Sequence, residues 1–400
     1  MSYLIDQKNS RRNFLKFLAA SPLFSTSLAL SHNINEEGNF ILNVKDALDV
    51  FDFKAAAKKI LPPAHYGYLS TGSFDDKTLH KNREAFDGYY IRSRRLVNIT
   101  NVDTSVKILG EKWTSPIILS PCASQKAYHP EGEIAVARAA KKLNHLQILS
   151  TVSSTSIEDV SHARGSPVWY QLYTEGGWQG IKNMLRRAEN SGSPALVLTV
   201  DLPNGAQQRN TLERYKRLDK RDCNICHTNS GVAAGPKPML MQIPQQLLNQ
   251  RVPLDWKFVD RLRKETSMKI LIKGIVTAED AERCVSEGVD GIIVSNHGGR
   301  ADNSGRGAID SLAEVTSAIK GKTLILMDSG IRRGSDIFKA LALGADAICI
   351  GRPYLWGLGS FGQSGVERVL ELLQEELKAT MQFSGVNSIH KITYKTIGTI

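Results

Sequence analysis

The chain has 400 residues, of which 42% are hydrophobic, and a formal net charge of +11 at pH 7. That hydrophobic share supports a sizeable core, and no low-complexity tract or second domain is visible. The basic balance suits acidic small molecules or simply a solvated face. The densest runs, residues 92–95 and 214–221, lack the aromatic interleaving of nucleic-acid readers, so a nucleic-acid partner is set aside.

In chain order, the first feature is Ser10-Arg11-Arg12-Asn13-Phe14-Leu15-Lys16, followed by a largely apolar stretch rich in small residues over 17–31. The apolar part is short for a membrane span and suits a signal h-region, so residues 1–31 read as a twin-arginine export signal cleaved near 29–31. Export of that kind places the mature protein in the periplasm. A basic N-terminal helix, with a cytoplasmic or membrane-associated protein, is the alternative. Residues 32–45 read as a linker and 46–400 as one domain, with an amphipathic helix over 44–60 leading to Tyr68.

Eight short segments rich in apolar and β-branched residues follow, at 116–124, 146–151, 168–173, 195–201, 269–275, 291–296, 323–328 and 347–352. Helical patterns lie between them, among them 131–143, 278–287 and 335–343, whose apolar residues recur at three and four positions. Continuously apolar strands alternating with helices require a parallel sheet covered by helices, and eight such units close into an α/β fold, the (β/α)8 TIM barrel. It carries an N-terminal helical extension and a long insert after the fourth strand. Reactive groups in such barrels sit at the C-terminal strand ends. These offer Pro121 and Ser124; Ser150 and Thr151; Gln171 and Tyr173; Thr199 and Asp201; Lys273; Ser295 and His297; Asp328; and Gly351 and Arg352. One polar strand end is only a terminus meeting water, but eight together point to a shared site.

The richest end is Ser295-Asn296-His297-Gly298-Gly299-Arg300. It sets a proton acceptor and an anion clamp on one glycine turn, which is equipment for chemistry on a small acid. Alone, it also reads as a glycine turn with a solvated Arg and an incidental His. The insert, about 204–253, is too long for a simple loop. It contains Cys223-Asn224-Ile225-Cys226-His227, the spelling of a c-type haem attachment site, with Met239 and Met241 downstream as conceivable axial ligands. Against haem, the insert is short and basic, and twin-arginine export of folded protein suits covalent haem poorly. A disulfide, a metal site or a plain loop is the blander reading, and no other metal site is expected. Cys122, Cys284 and Cys349 are read as small buried residues.

Several motifs in order resemble the FMN-dependent 2-hydroxy-acid oxidase and dehydrogenase family, which includes glycolate oxidase, lactate oxidase, L-lactate dehydrogenase and the flavin domain of flavocytochrome b2. They are His129-Pro130-Glu131-Gly132-Glu133, Gln171-Leu172-Tyr173, Leu198-Thr199-Val200-Asp201, Lys273-Gly274-Ile275, the Ser295 to Arg300 run, Asp328-Ser329-Gly330-Ile331-Arg332-Arg333-Gly334 and Gly351-Arg352-Pro353. The resemblance spans about residues 43–395. It implies FMN across the barrel mouth, with Pro121, Cys122 and Ala123 along its ring. Ser150, Gln171 and Thr199 bond its polar edge, Ser295 is also in contact, and Lys273 sits by its pyrimidine end. The phosphate is expected on the turn from Asp328 through Gly330 and Arg332 to Gly334, and on Gly351 and Arg352.

For the substrate, the resemblance implies a carboxylate held by Arg300, a second Arg and Tyr68, and a 2-hydroxyl bonded by Tyr173. His297 is implied as general base, taking the Cα or the hydroxyl proton, with Asp201 orienting it. The product is a 2-oxo acid, and electrons pass to oxygen, quinone or a cytochrome. A homo-oligomer, commonly a tetramer, is the family habit. Three departures bear on specificity. Ungapped counting puts Gln208 at the second carboxylate-Arg position, and Arg209 fills it with one residue of slippage. Ala301-Asp302-Asn303 replaces the common Gln-Leu-Asp, and Val152 stands where glycolate oxidase has a narrowing Trp. A roomier pocket for lactate or larger acids follows. The alternative is an FMN and haem electron-transfer module working through Cys223, Cys226 and His227.

Overall fold

The computed structural model describes residues 38–202, 208–221, 237–248, 250–319 and 321–400. Eight parallel strands form its centre: β1 (Ile117–Leu119), β2 (Leu146–Ser150), β3 (Trp169–Leu172), β4 (Ala195–Thr199), β5 (Lys269–Ile275), β6 (Gly291–Val294), β7 (Leu324–Met327) and β8 (Ala347–Ile350). They pair in sequence order, and β8 returns to β1 through Ile348 opposite Ile117, which closes the barrel. Every residue of β2, β3, β4 and β6 is buried. Strands covered on both faces can use apolar residues without alternation, which is why these segments read as unbroken apolar runs. The (β/α)8 architecture is as expected, although β1 is shorter than the 116–124 segment, whose C-terminal half is the loop that faces the barrel mouth.

The surrounding helices are α1 (Gly132–Leu143), α2 (Ile157–Arg164), α3 (Gly177–Asn190), α4 (Trp256–Glu265), α5 (Ala278–Ser286), α6 (Ala308–Ile319), α7 (Gly334–Ala342) and α8 (Arg352–Ser384). Their starts follow side-chain chemistry. Ser156, Asp255 and Thr277 each accept an amide proton at the N-terminus of α2, α4 and α5. α8 is broken at Phe361 and Gly362, where the backbone leaves helical angles. The insert between β4 and α4 adds the short helices Asn210–Leu218 and Gln245–Leu248.

The expected single helix over 44–60 is two pieces, a 3-10 turn at Val44–Asp46 and a helix at Val50–Ile60. The reason is local. Asp49 accepts the Phe51 amide at 2.8 Å, and Asp52 closes a capping box from inside the helix, so the chain restarts there. This helix buries Val50, Phe51 and Phe53 against α8. Phe53 meets the Phe361 ring edge-on at 6.0 Å. Burying each such side chain contributes about 1.5–3 kcal/mol, which fastens the extension to the barrel. Helices Pro63–Ser70 and Lys77–Glu84 then run over the mouth, and strand Tyr89–Ile91 pairs antiparallel with C-terminal Ile397–Thr399. The twin-arginine segment and the CxxCH motif lie outside the described residues.

Candidate active site

At the C-terminal end of the barrel lies a cavity of about 430 Å³. Lys273 from β5 and His297 and Arg300 from the turn after β6 reach it, as do Asp328 and Arg332 after β7, Arg352 at the start of α8, and Tyr68 and Arg209 from the extension and insert. The site is built by fixing the turn after β6. Asn296 and Asn82 exchange side-chain amide hydrogen bonds at 2.8 Å in each direction, and Ser73 bonds the carbonyls of Gly299 and Arg300 at 2.8 and 2.7 Å. His297 is thereby held in the left-handed region, φ 57°, a conformation that a non-glycine residue keeps only when its surroundings impose it.

His297 Nδ1 lies 2.7 Å from Asp201 Oδ1, which leaves Nε2 as the other ring nitrogen. Burial pushes the Asp201 carboxyl up, but His297 and Lys273 beside it outweigh burial, and the net position is below the ordinary carboxylate value. Lys273 donates to Ser295 Oγ at 2.8 Å and lies 3.2 Å from Asp328 Oδ2 and 3.8 Å from Asp201 Oδ2. Burial works against its ammonium, yet the two carboxylates win and raise it. The close approach of β5 to Asp201 depends on Gly274, φ 114°, where a Cβ would stand 2.7 Å from the Asp201 Cβ.

Tyr68 carries two guanidinium groups over its ring, Arg209 at 4.8 Å and Arg300 at 5.6 Å from the centroid. Arg209 Nη2 donates to Tyr68 O, Thr71 O and Thr71 Oγ1, and Arg300 Nη2 to the Tyr68 and Leu69 carbonyls. Burial first, and then repulsion from Arg300, push Arg209 down to about 10. Two cations held together in this way form a site for an anion. Ungapped counting favoured Gln208, but that residue is exposed while Arg209 is buried against the cavity.

Most of the expected residues meet here. Pro121, Cys122, Ala123, Ser150 and Tyr173 line the same cavity. Burial drives the Tyr173 hydroxyl well above its ordinary value, so it is a donor at neutral pH. Gln171 and Thr199 are buried at the ends of β3 and β4, with Gln171 Nε2 and Thr199 Oγ1 lacking a partner. Gln171 Oε1 already takes Ser150 Oγ at 3.1 Å and the Thr151 amide at 3.2 Å.

A sequence model described as FMN-dependent dehydrogenase matches residues 57–399. The chain belongs to the FMN-dependent dehydrogenase family. This family member is 39% identical over 350 residues to an L-lactate oxidase of Lysinibacillus sphaericus, covering 86% of this chain and 90% of the relative. It is 40% identical over 359 residues to a peroxisomal (S)-2-hydroxy-acid oxidase of Oryza sativa subsp. japonica, with 89% and 96% covered. A solved mandelate oxidase has the same fold, with a TM-score of 0.78 at 34% identity over 88% of this chain and 98% of that one. The FMN-dependent dehydrogenase described here is therefore an oxidoreductase acting on CH–OH donors, with FMN as its cofactor.

The residues present fit that cofactor. The buried, unpartnered Gln171 Nε2 and Thr199 Oγ1 are a donor and a hydroxyl suited to the polar edge of a flavin, and the Lys273 ammonium suits a ring that gains negative charge. Arg332 and Arg352 also line the cavity and are the cations that would meet a phosphate. One expectation needs correction there. Gly334 offers no amide to a phosphate, because its N–H donates to Glu376 at 2.7 Å, while the Arg332 and Arg333 amides donate to Asp336 at 2.8 and 3.0 Å. Gly334 is glycine for close packing, since a Cβ would lie 2.1 Å from the Leu377 nitrogen. Arg352 spends its guanidinium on the carbonyls of Leu69, Gly298 and Thr71 at 2.9, 2.9 and 3.0 Å, so it also ties the extension to the catalytic turn.

Other residues were missed. Glu133 is fully buried and accepts from the Gln125 amide, from Ser154 and from Thr155, which staples the loops after β1 and β2 together. The signal was its place in the 129–133 motif. Tyr128, beside that motif, also lines the cavity, as do Lys237, Glu175 and Arg251 around the insert. Met239 is buried and Met241 is exposed.

Proposed function

We propose that this protein oxidises L-2-hydroxy acids of lactate size or larger to 2-oxo acids. The observation that carries this reading is the His297–Asp201 pair at 2.7 Å, with His297 lining the same cavity as the two cations, buried Arg209 and half-buried Arg300. Arg300 and Arg209, with Tyr68, hold the substrate carboxylate, which explains the demand for an acid. The Tyr173 hydroxyl donates to the oxygen on C2. His297 takes a proton at its Nε2, and Asp201 fixes the tautomer and carries part of the charge that develops on the ring. Bound FMN supplies the acceptor for the two electrons that leave the substrate.

Val152 favours lactate and bulkier acids over glycolate because its side chain fills less of the cavity than an indole. The relatives named oxidases support oxygen as electron acceptor, with quinone and a cytochrome as the other acceptors to be tried. The twin-arginine segment supports a periplasmic location, which cell fractionation tests.

The deciding experiment is an anaerobic absorption spectrum of the purified protein before and after L-lactate, L-mandelate and a longer 2-hydroxy acid. Loss of the flavin bands with one of these acids is expected, and flavin that none of them bleaches overturns the reading. Readmitting air, a quinone or a cytochrome then identifies the acceptor.

A further inference from the structure

His297 lies between two backbone amides, and each is met by a serine hydroxyl. Its own amide donates to Ser295 Oγ at 3.0 Å, and the amide of Gly298, which belongs to the peptide plane after His297, donates to Ser329 Oγ at 2.9 Å. The two hydroxyls are tied in turn to one buried ion pair. Ser295 Oγ accepts from Lys273 Nζ at 2.8 Å, Ser329 Oγ donates to Asp328 Oδ1 at 2.7 Å, and Lys273 Nζ lies 3.2 Å from Asp328 Oδ2. A ring of contacts therefore runs from these two charges to both sides of His297, through β5, the turn after β6 and the turn after β7.

Ser329 completes this ring from a strained conformation. Its φ is 78°, in the left-handed region, and the turn it bonds is left-handed too, with φ 57° at His297, 66° at Gly298 and 78° at Gly299. Glycine enters that region without steric penalty, whereas serine keeps it only where its surroundings impose it. A glycine at 329 would relieve the backbone and remove the acceptor that the Gly298 amide now uses. The Gly298 carbonyl is held separately, by Arg352 Nη1 at 2.9 Å. The peptide plane after Gly298 is thus set by Arg352, and the plane between His297 and Gly298 by Ser329.

We propose that Ser329 is a positioning residue for the oxidation: its hydroxyl carries the orientation set by the Lys273–Asp328 pair to the peptide after His297, and so aims the imidazole at the substrate. This inference rests on the 2-hydroxy-acid reading above, in which His297 takes the proton. The strain at 329 is kept because only a side chain there can supply that acceptor.

The test uses the FMN-loaded enzyme and two variants: Ser329→Ala, which removes the hydroxyl and keeps the strain, and Ser329→Gly, which removes both. Anaerobic stopped-flow reduction, with the 2-hydroxy acid that reduces the native flavin fastest, gives the limiting rate and the substrate Kd. Both variants should keep FMN and lose about three- to tenfold in limiting rate, the span of one lost hydrogen bond, with Kd within about twofold because Arg209 and Arg300 are untouched. Ser329→Gly should melt above Ser329→Ala, since glycine takes a φ of 78° without strain. Rate then follows the hydroxyl while stability follows the backbone, a separation that a merely structural role does not produce. Four results overturn the proposal: native-rate reduction in either variant, rates that track melting so that Ser329→Gly is the faster of the two, a Kd that rises while the limiting rate holds, or FMN loss as the main effect, which would assign Ser329 to the cofactor. If no 2-hydroxy acid reduces the native flavin, the 2-hydroxy-acid reading itself fails, and this inference falls with it.

Discussion

His297 Nδ1 and Asp201 Oδ1 are 2.7 Å apart, although the two residues are 96 positions apart in the chain and follow different strands. The contact requires the left-handed turn at His297 and the side-chain-free approach of Gly274 to Asp201. Replacing His297 with Ala should leave FMN bound and lower the rate of its reduction by substrate by about 10²–10⁴-fold, the span typical of a lost general base. Asp201→Asn should also lower it, by a smaller factor. Anaerobic stopped-flow absorbance measures both, and native-rate reduction in His297→Ala would show that the base is elsewhere.

The two guanidinium groups around Tyr68 predict a split between neighbouring positions. Arg209→Met should raise KM for the acid by about tenfold or more, in line with loss of a charge-assisted hydrogen bond. Gln208→Ala should leave KM within about twofold, as an exposed substitution away from such contacts does. Steady-state kinetics on both variants decides which residue completes the clamp, and the reverse pattern would restore the ungapped alignment.

Pocket width is carried by Val152. Against a panel of 2-hydroxy acids the wild-type enzyme should show a higher kcat/KM for L-lactate or a larger acid than for glycolate. Val152→Trp should shift the ratio toward glycolate by about 10-fold or more. Glycolate emerging as the best substrate of the native enzyme would end the argument from width.

Gly274→Ala tests the backbone side of the site. The added methyl meets Asp201 Cβ at 2.7 Å, and φ is 114°, so both overlap and a strained backbone angle are imposed. A loss of about 1–3 kcal/mol of stability is expected, together with slower flavin reduction. Thermal melting and the reduction rate should fall together, and a variant that matches the native enzyme in both would mean that β5 can retreat at no cost.

Two buried charges should contribute to stability in a pH-dependent way. Asp201 is held below its unfolded value of about 3.9, so its contribution is complete above that pH and is lost as the pH falls through the lower, folded value. Lys273 is held above its unfolded value of about 10.4, so its contribution is complete below that pH and is lost as the pH rises through the higher, folded value. Between these limits neither group should tilt the stability curve. In melts of the FMN-loaded enzyme, Asp201→Asn should flatten the acid limb, and an unchanged limb would assign acid unfolding to other carboxylates.

The amino-acid sequence alone determined the barrel, because strands buried on both faces must be written as unbroken apolar runs and each strand end announces itself by the first polar residue. It therefore also placed His297, Asp201, Lys273 and Arg300 around one mouth. The sequence also favours Arg209 over Gln208 once one residue of slippage is allowed, and the packing agrees, with Arg209 buried against the cavity and Gln208 exposed. Features set by packing between distant segments were decided only by the tertiary structure. Gly334 reads as a phosphate turn until its contact with Leu377 is seen, and the pause at Asp49 that divides the first helix comes from a capping box that periodicity conceals. Lys237 had no local signal at all, since a lone lysine in a basic insert looks solvated until the structure shows it buried in the cavity wall. Periodicity and strand ends are local properties of the chain, whereas loop register and the direction of a buried charge depend on contacts between residues far apart in sequence.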